Sequence, residues 1–504
     1  VNIKDLILPL GFALGGTLLI HHFFLAEKKP LESTDRRFVA PASLQIAEPL
    51  DLDIDYYDAE PKRVREDSVV ALPKSRIQFS NDGAVVNLMG YARDLAGKPT
   101  LVETLVPSAS TEKGSFLVAL DGIGKTPYYY SLLERKEEGN CTILTYMGES
   151  SAATITKQFV VHHDNYVIDL TLTIDPKEGD GVRPRIFFTG PQVLGDKKDV
   201  INTVLAQGTS IEKAPVKDLV SVGVEQPTIF GLEDTYFVQV LYKDPAQFAQ
   251  RAYFKFDGDM AQAVLQSGTI KEKKTWTLSF YSGPKELAAL ARIDSRLEGL
   301  LSYGWFFYIS KYLLFLLIFL YGIFKNYGVA IIVLTVLVRI ILIPFTLHGE
   351  QTKKRTTDAQ KKLQYIEQRY KDDPEALAAA KSEFVRKHGI PGALGFLPLL
   401  LQISIFIGLQ RVLSNAIELY QAPFLWIPDL SAPDPYFILP IVAGISMIGM
   451  MGQGAKPRQL MINGIMAIVF AAVTVNISAG LTLFIAVSSL CAVAQTIIQK
   501  AMVR

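Results

Sequence analysis

Apolar positions fall into two regimes along this chain. From about residue 69 to 282 they come in short runs, often at every second position, between turn signals. From about residue 303 to 499 they come as long unbroken blocks. In the first regime the pattern predicts strands at 76–79, 85–88, 115–120, 142–146, 154–161, 166–174, 185–188, 228–230, 236–242 and 276–281. Alternation is clearest in YVIDLTLTI at 166–174, where every second side chain faces one side. Asn81-Asp82-Gly83 and Asp257-Gly258 are predicted tight turns. Many strands without intervening helices indicate a large antiparallel β-sandwich over 69–283. It carries no nucleophile elbow, motif-paired carboxylates or phosphate loop, so it reads as a binding or spacer module.

The second regime predicts an α-helical polytopic membrane core. GVAIIVLTVLVRIILIPFTL at 328–347 is long enough to cross a hydrocarbon layer of roughly 30 Å. Further spans are predicted at 391–413, 436–452, 460–475 and 480–499, with an N-terminal signal anchor at 1–26 and a short tail at 500–504. Residues 27–68 read as a polar linker whose acidic run (Asp51, Asp53, Asp55, Asp58) lacks the glycine turn of a calcium loop. Amphipathic and interfacial helices are expected over 284–327. The apolar part at 312–324, bracketed by Lys311 and Lys325, is too short to span and carries an aromatic load, which predicts a helix lying in the membrane interface. On that length argument the β domain lies outside.

Charge adds two features. Net charge is only +1, so bulk attraction to nucleic acid is not implied. The loop at 348–390 carries ten Lys/Arg, including Lys353, Lys354, Arg355, Arg386 and Lys387, which places it in the cytoplasm as a basic helical hairpin turning at Asp372-Asp373-Pro374. It could merely set topology, or it could touch a ribosome, anionic lipid or an incoming chain. The other feature is Arg339, inside a span. A buried charge there costs roughly 2.5–3.5 kcal/mol on insertion scales, and no Asp or Glu lies inside the other apolar segments after residue 300. Cys141 and Cys491 lie in different regimes, and no metal-ligand spacing occurs; His21–His22 and His162–His163 read as non-ligands. No cofactor is indicated.

Polar residues recur in the apolar blocks at helical spacing: Thr335 one turn before Arg339; Gln402, Phe406 and Gln410; Asn463 and Thr474; and Thr482, Ser489 and Thr496 every seven residues. With the unpaired Arg they suggest a wetted, positively charged recess among five spans. The runs VRI…P at 338–344, LPLLLQ…IF at 397–406, QAPFLWIPDLS at 421–431 and DPYFILP at 434–440 resemble the YidC-type bacterial membrane protein insertases, strongly over 328–499. The anchor followed by a long β domain resembles the Gram-negative form. That resemblance implies a periplasmic β-supersandwich, an interfacial helix and a five-helix core. It also implies a groove closed toward the periplasm, with Arg339 at the groove's Arg position, Thr335 at the polar position before it, and a substrate slide on the spans beginning near 394 and 480. Relatives often carry an aromatic pair near the start of the last span, where this chain has Phe484 followed by Ile485. Lacking a long basic tail, the chain would leave ribosome contact to the hairpin.

The expected activity is non-enzymatic: nascent membrane proteins enter the recess, alone or with the Sec translocon, and slide into lipid. The inner membrane is the expected location, with both termini cytoplasmic. Two rival classes are a secondary transporter of an anionic solute, which predicts internal repeats that the sequence does not show, and a membrane-anchored periplasmic scaffold.

Overall fold

The structure is a computed structural model that describes residues 46–47, 65–72, 75–95, 98–103, 114–121, 126–177, 181–191, 201–208, 210–215, 223–257, 260–301, 307–343, 365–366, 368–370, 374–388, 397–451 and 457–503. The predicted anchor at 1–26, most of the linker and the first arm of the basic hairpin lie outside those residues. The chain divides into two compact units, a β unit ending at Leu301 and a helical unit beginning at Ser302.

In the β unit a nine-stranded sheet and a six-stranded sheet pack face to face, and a four-stranded sheet covers 67–103; every pairing is antiparallel. The alternation that predicted the strands also builds the core. Cys141–Glu149, Ala153–His162 and Val167–Pro176 bury nearly every second side chain. The inner faces of the two sheets meet through rings from other strands: Phe280 and Phe230 of the nine-stranded sheet contact Phe188 and Phe254 of the six-stranded sheet at 5.4 and 4.2 Å. The turn at Asn81-Asp82-Gly83 has Gly83 at φ +69, and Asp257 pairs with Met260 across a two-residue connection. Ser131–Glu138, SLLERKEE, was not among the predicted strands. It is an edge strand, exposed at every position, so it carries no alternation to find.

The predicted amphipathic helix after the sandwich is two pieces and not one. α1 (Leu287–Ile293) stops at Asp294, and a 3-10 turn, Ser295–Leu300, follows. Asp294 accepts from the Arg296 N–H at 2.9 Å and pairs with its guanidinium, a local bond that competes with helix continuation. The 3-10 piece is tied to the strands, with Arg296 donating to Tyr242 O and Lys213 to Leu300 O, while α1 buries Leu290.

The helical unit holds α2 (Phe307–Phe324), α3 (Tyr327–Ile343), α4 (Pro374–His388), α5 (Leu397–Asn415), α6 (Ile438–Met451), α7 (Pro457–Thr474) and α8 (Ala479–Val503). α2 corrects one expectation. It begins five residues before the 312–324 segment and has 18 residues, about 27 Å, so shortness no longer argues against a span. Tyr308 falls on the same exposed stripe as Tyr312 and Phe315, so Lys311 interrupts the apolar run but not the helix.

Candidate functional site

The site is built from one plugged end of the helical unit and the side chains beneath it. The plug is the QAPFLWIPDLSAPDPY stretch. Phe424 and Ile427 exchange backbone hydrogen bonds at 2.8 Å, and Leu430 N donates to Ala422 O at 3.0 Å. Asp429 Oδ1 accepts from Gln421 N, Ser431 N and Ser431 Oγ at 2.7–2.9 Å. The turns need left-handed backbone at Gln421, Leu425 and Phe437, and Leu425 projects at the tip, 75% exposed.

The plug satisfies helix ends that would otherwise present bare N–H groups. Buried Asp434 accepts from Leu439 N at 2.7 Å and Tyr436 N at 3.1 Å at the start of α6, and from Trp426 Nε1 at 3.0 Å. At the start of α8, Ala479 N and Gly480 N donate to Ala432 O and Leu430 O at 2.7 and 2.8 Å. α3 starts at the same end: Asn326 Oδ1 accepts from Val329 N, and Phe424 lies directly on Gly328, where any Cβ would collide with its ring.

Below the plug, Arg339 on α3 reaches across to α8. Its Nε and Nη2 both donate to Ser488 Oγ, at 2.9 and 2.5 Å. Arg339 is half-buried, and among the described residues no carboxylate pairs with it. A guanidinium has five N–H donors, so a single hydroxyl leaves most of them for water or a ligand. Arg339 is eleven residues past Gly328 and Ser488 eight past Gly480, which puts the pair roughly 12–17 Å along the helices from the plugged end.

The other predicted residues divide. Phe406 of α5 meets Phe484 of α8 at 5.7 Å, so an aromatic partner for Phe484 comes from a neighbouring helix and not from the next residue. Gln410 is buried on α5, and the side chain of Gln402 lies outside what is described. Thr335 is buried with its hydroxyl on Ile331 O at 2.6 Å. Thr482 and Ser489 likewise bond Ser478 O and Ile485 O in their own helix. Asn463 is buried on α7 with its amide nitrogen unpartnered, and α7 packs on α6. The residue that sequence reading missed is Ser488, about 100° round α8 from the Thr482–Ser489–Thr496 line. Its signal was that it falls one turn after Phe484, on the side that faces α5 and α3.

α2 packs one stripe (Ser310, Leu313, Leu314, Leu317, Leu320) and donates Ser310 Oγ to Gly408 O of α5 at 3.0 Å. Its opposite stripe, Tyr308, Tyr312, Phe315, Phe319 and Ile323, is exposed.

Two family profiles match the chain: one described as 60Kd inner membrane protein over residues 319–504, the other as YidC periplasmic domain over residues 73–316. The membrane protein insertase YidC of Geobacter metallireducens is 28% identical over 462 residues, covering 86% of this chain and 85% of that protein. The membrane protein insertase YidC of Shewanella woodyi is 31% identical over 375 residues, covering 70% and 68%. A crystal structure of an active YidC insertase with its first transmembrane domain resolved aligns over 86% of this chain and 93% of that one, at 17% identity and a TM-score of 0.35.

Proposed function

The chain belongs to the YidC family of membrane protein insertases, and on that premise we propose that it passes its clients through a positively charged recess centred on Arg339. Membership makes it an inner-membrane insertase with a periplasmic β domain, acting on nascent membrane proteins in lipid. The mechanism that follows is our reading. A nascent span enters from the cytoplasmic side, and its polar or acidic leading part is held by Arg339 and bound water. Its apolar part slides along α5 and α8 into lipid, where Ile403, Leu490, Ile497 and Ile498 offer exposed apolar surface. The drive comes from burying the client's own apolar stretch, about 25 cal/mol per Å². The recess lowers the barrier by giving the translocating polar group a charged, hydrated stop instead of hydrocarbon. The process needs no catalytic residue and no nucleotide.

One observation carries this reading: Arg339 sits in an apolar bundle with a hydroxyl for a partner in place of a carboxylate. A charge kept only for structure normally has its donors taken up, by an opposite charge or by several acceptors. In this scheme the plug faces the periplasm, and both termini are cytoplasmic. α2 then starts and ends on the periplasmic side, which lays it along the interface with its aromatic stripe in lipid. The Sec translocon cooperates for some clients, and the 348–390 hairpin, including α4, offers ribosome contact. A chain with Arg339→Ala is expected to insert acidic-tailed clients about ten-fold less well, the scale of a 1.4 kcal/mol contact. Neutral-tailed clients should be little affected, and Arg339→Lys should be milder. Protease-protection assays on reconstituted vesicles read this directly, and equal loss for both client types would sink the electrostatic role.

A further inference from the structure

The β unit holds a second electropositive site, unrelated to the recess. A cavity of about 270 Å³ opens at one end of the six-stranded sheet, lined by Arg183, Gln250, Arg251, Gln266 and the Ser267–Thr269 turn. Strand register explains the clustering. Gln266 pairs directly with Arg185 on one side and Arg251 on the other, so the three side chains share one face of the sheet in a single row. Arg185 is committed to Asp121 at 2.6 Å. Arg183 and Arg251 reach the cavity, where Arg183 makes a long 3.4 Å bond to exposed Thr269. Burial pushes the Tyr253 phenol up, and against that Arg251, Arg185 and Arg183 all pull it down, so the three guanidiniums act on one place.

Gln266 is the informative residue. It is 1% exposed, yet among the described residues both its amide oxygen and its amide nitrogen lack a partner. A buried amide left unsatisfied is costly, and a ligand or water offsets that cost. Its nitrogen adds a donor beside two guanidiniums, suiting an oxyanion with several oxygens. Its oxygen offers an acceptor, suiting a hydroxyl next to that oxyanion. The volume lies just below the usual range for small-molecule pockets, roughly 300–1,000 Å³, and suits a headgroup-sized ligand over an extended chain.

We propose that this cavity binds a phosphorylated polyol, with Arg183 and Arg251 on the phosphoryl group and Gln266 bridging phosphoryl oxygen and polyol hydroxyl. The same chemistry is found in soluble glycerol phosphate and in the headgroup of phosphatidylglycerol. The test is calorimetric titration of the full chain in an uncharged detergent with sn-glycerol 3-phosphate, inorganic phosphate and glycerol. Glycerol 3-phosphate should bind about ten-fold more tightly than phosphate, one hydrogen bond's worth, and glycerol should not bind. Arg183→Gln with Arg251→Gln should weaken both phosphates at least about ten-fold. Gln266→Leu should bring glycerol 3-phosphate down to the level of phosphate while raising the unliganded melting temperature, because an orphaned amide is removed. No binding of either phosphate, or binding indifferent to all three substitutions, overturns the proposal. Repeating the titration in nanodiscs separates the sources. Loss of the soluble ligand only in phosphatidylglycerol discs marks the lipid headgroup; equal binding in zwitterionic and phosphatidylglycerol discs marks a soluble ligand.

Discussion

Each unit of this protein buries a cation among apolar side chains, and the two are treated in opposite ways. In the β unit Lys157 takes an inward position on its strand, between Ile155 and Phe159, and is fully buried. Its Nζ donates to Gly83 O at 2.5 Å, Phe116 O at 2.8 Å and Ala84 O at 3.3 Å, beneath the ring of Tyr130. All three carbonyls belong to residues with left-handed backbone, Gly83 at φ +69, Phe116 at +72 and Ala84 at +43. Two of those are not glycine, a conformation costing roughly 1–2 kcal/mol each. The chain has thus been bent at some cost to surround the ammonium. Arg339 in the helical unit has one hydroxyl. A cation whose donors are all taken is part of the frame; a cation with donors to spare can bind something that comes and goes, which is the role proposed for Arg339.

The contrast can be broken most directly by removing each charge while keeping the volume. Lys157→Met leaves three buried carbonyls without their donor and should destabilise the β unit by about 2–4 kcal/mol. Arg339→Met removes one shared hydrogen bond and a desolvated charge, and should change the stability of the helical unit by less than about 1 kcal/mol. Pulse proteolysis of the full chain, with fragments assigned to each unit, measures both. If Lys157→Met is as stable as the parent, or Arg339→Met unfolds its unit, the division into frame and function is wrong.

A smaller effect is expected at Ser488. If its hydroxyl only steadies the guanidinium, Ser488→Ala should cost the helical unit about 1 kcal/mol and leave insertion of acidic-tailed clients within about two-fold of the parent. The charge would remain in place, hydrated from the recess. Insertion as poor as with Arg339→Ala would mean that the pair works as one unit and that position, not charge alone, matters.

Much of this architecture was readable in residue order because local periodicity and burial agree. YVIDLTLTI at 166–174 alternates, and its strand buries the predicted side. The QAPFLWIPDLSAPDPY run was recognisable as a motif, but not as a plug, since its meaning lies in contacts with the starts of α3, α6 and α8. Lys157 was illegible for a related reason: a lysine in an alternating strand is read as outward, and only three carbonyls distant in sequence make the inward position tolerable. Ser488 was passed over for Ser489 because a heptad of hydroxyls was the stronger pattern in one dimension. Those hydroxyls turn back to their own helix, as Ser and Thr in apolar helices commonly do. For α2 only the length was misjudged: the helix starts at Phe307, before the unbroken apolar run, and composition alone does not separate a span from an interfacial helix.

The smallest expected effect concerns an ionic contact that belongs to neither class. On the outer face of the nine-stranded sheet His162 Nε2 lies 2.8 Å from Asp169 Oδ2, with side chains 29% and 27% exposed, and its Nδ1 meets Cys141 Sγ at 3.3 Å. The hydrogen bond to Asp169 raises the imidazole pKa above its ordinary value, against an opposing effect of burial. For Asp169 burial pushes upward, but the bonds from His162 and Ser279 bring the carboxyl below its ordinary value. The signs then fix a window. The histidine's contribution is complete below about pH 6.5, the unfolded value, and is lost as pH rises through the higher folded value. The aspartate's contribution is present above about pH 3.9 and is lost as pH falls through its lower folded value. The pair should therefore stabilise the β unit most between about pH 4 and 6.5, by no more than a few tenths of a kcal/mol given its exposure. Raising the pH from 6 to 8 should lower the proteolysis midpoint of the β unit slightly, and Asp169→Asn should flatten that slope. An unchanged slope in Asp169→Asn would assign the pH dependence elsewhere, to groups other than this exposed pair.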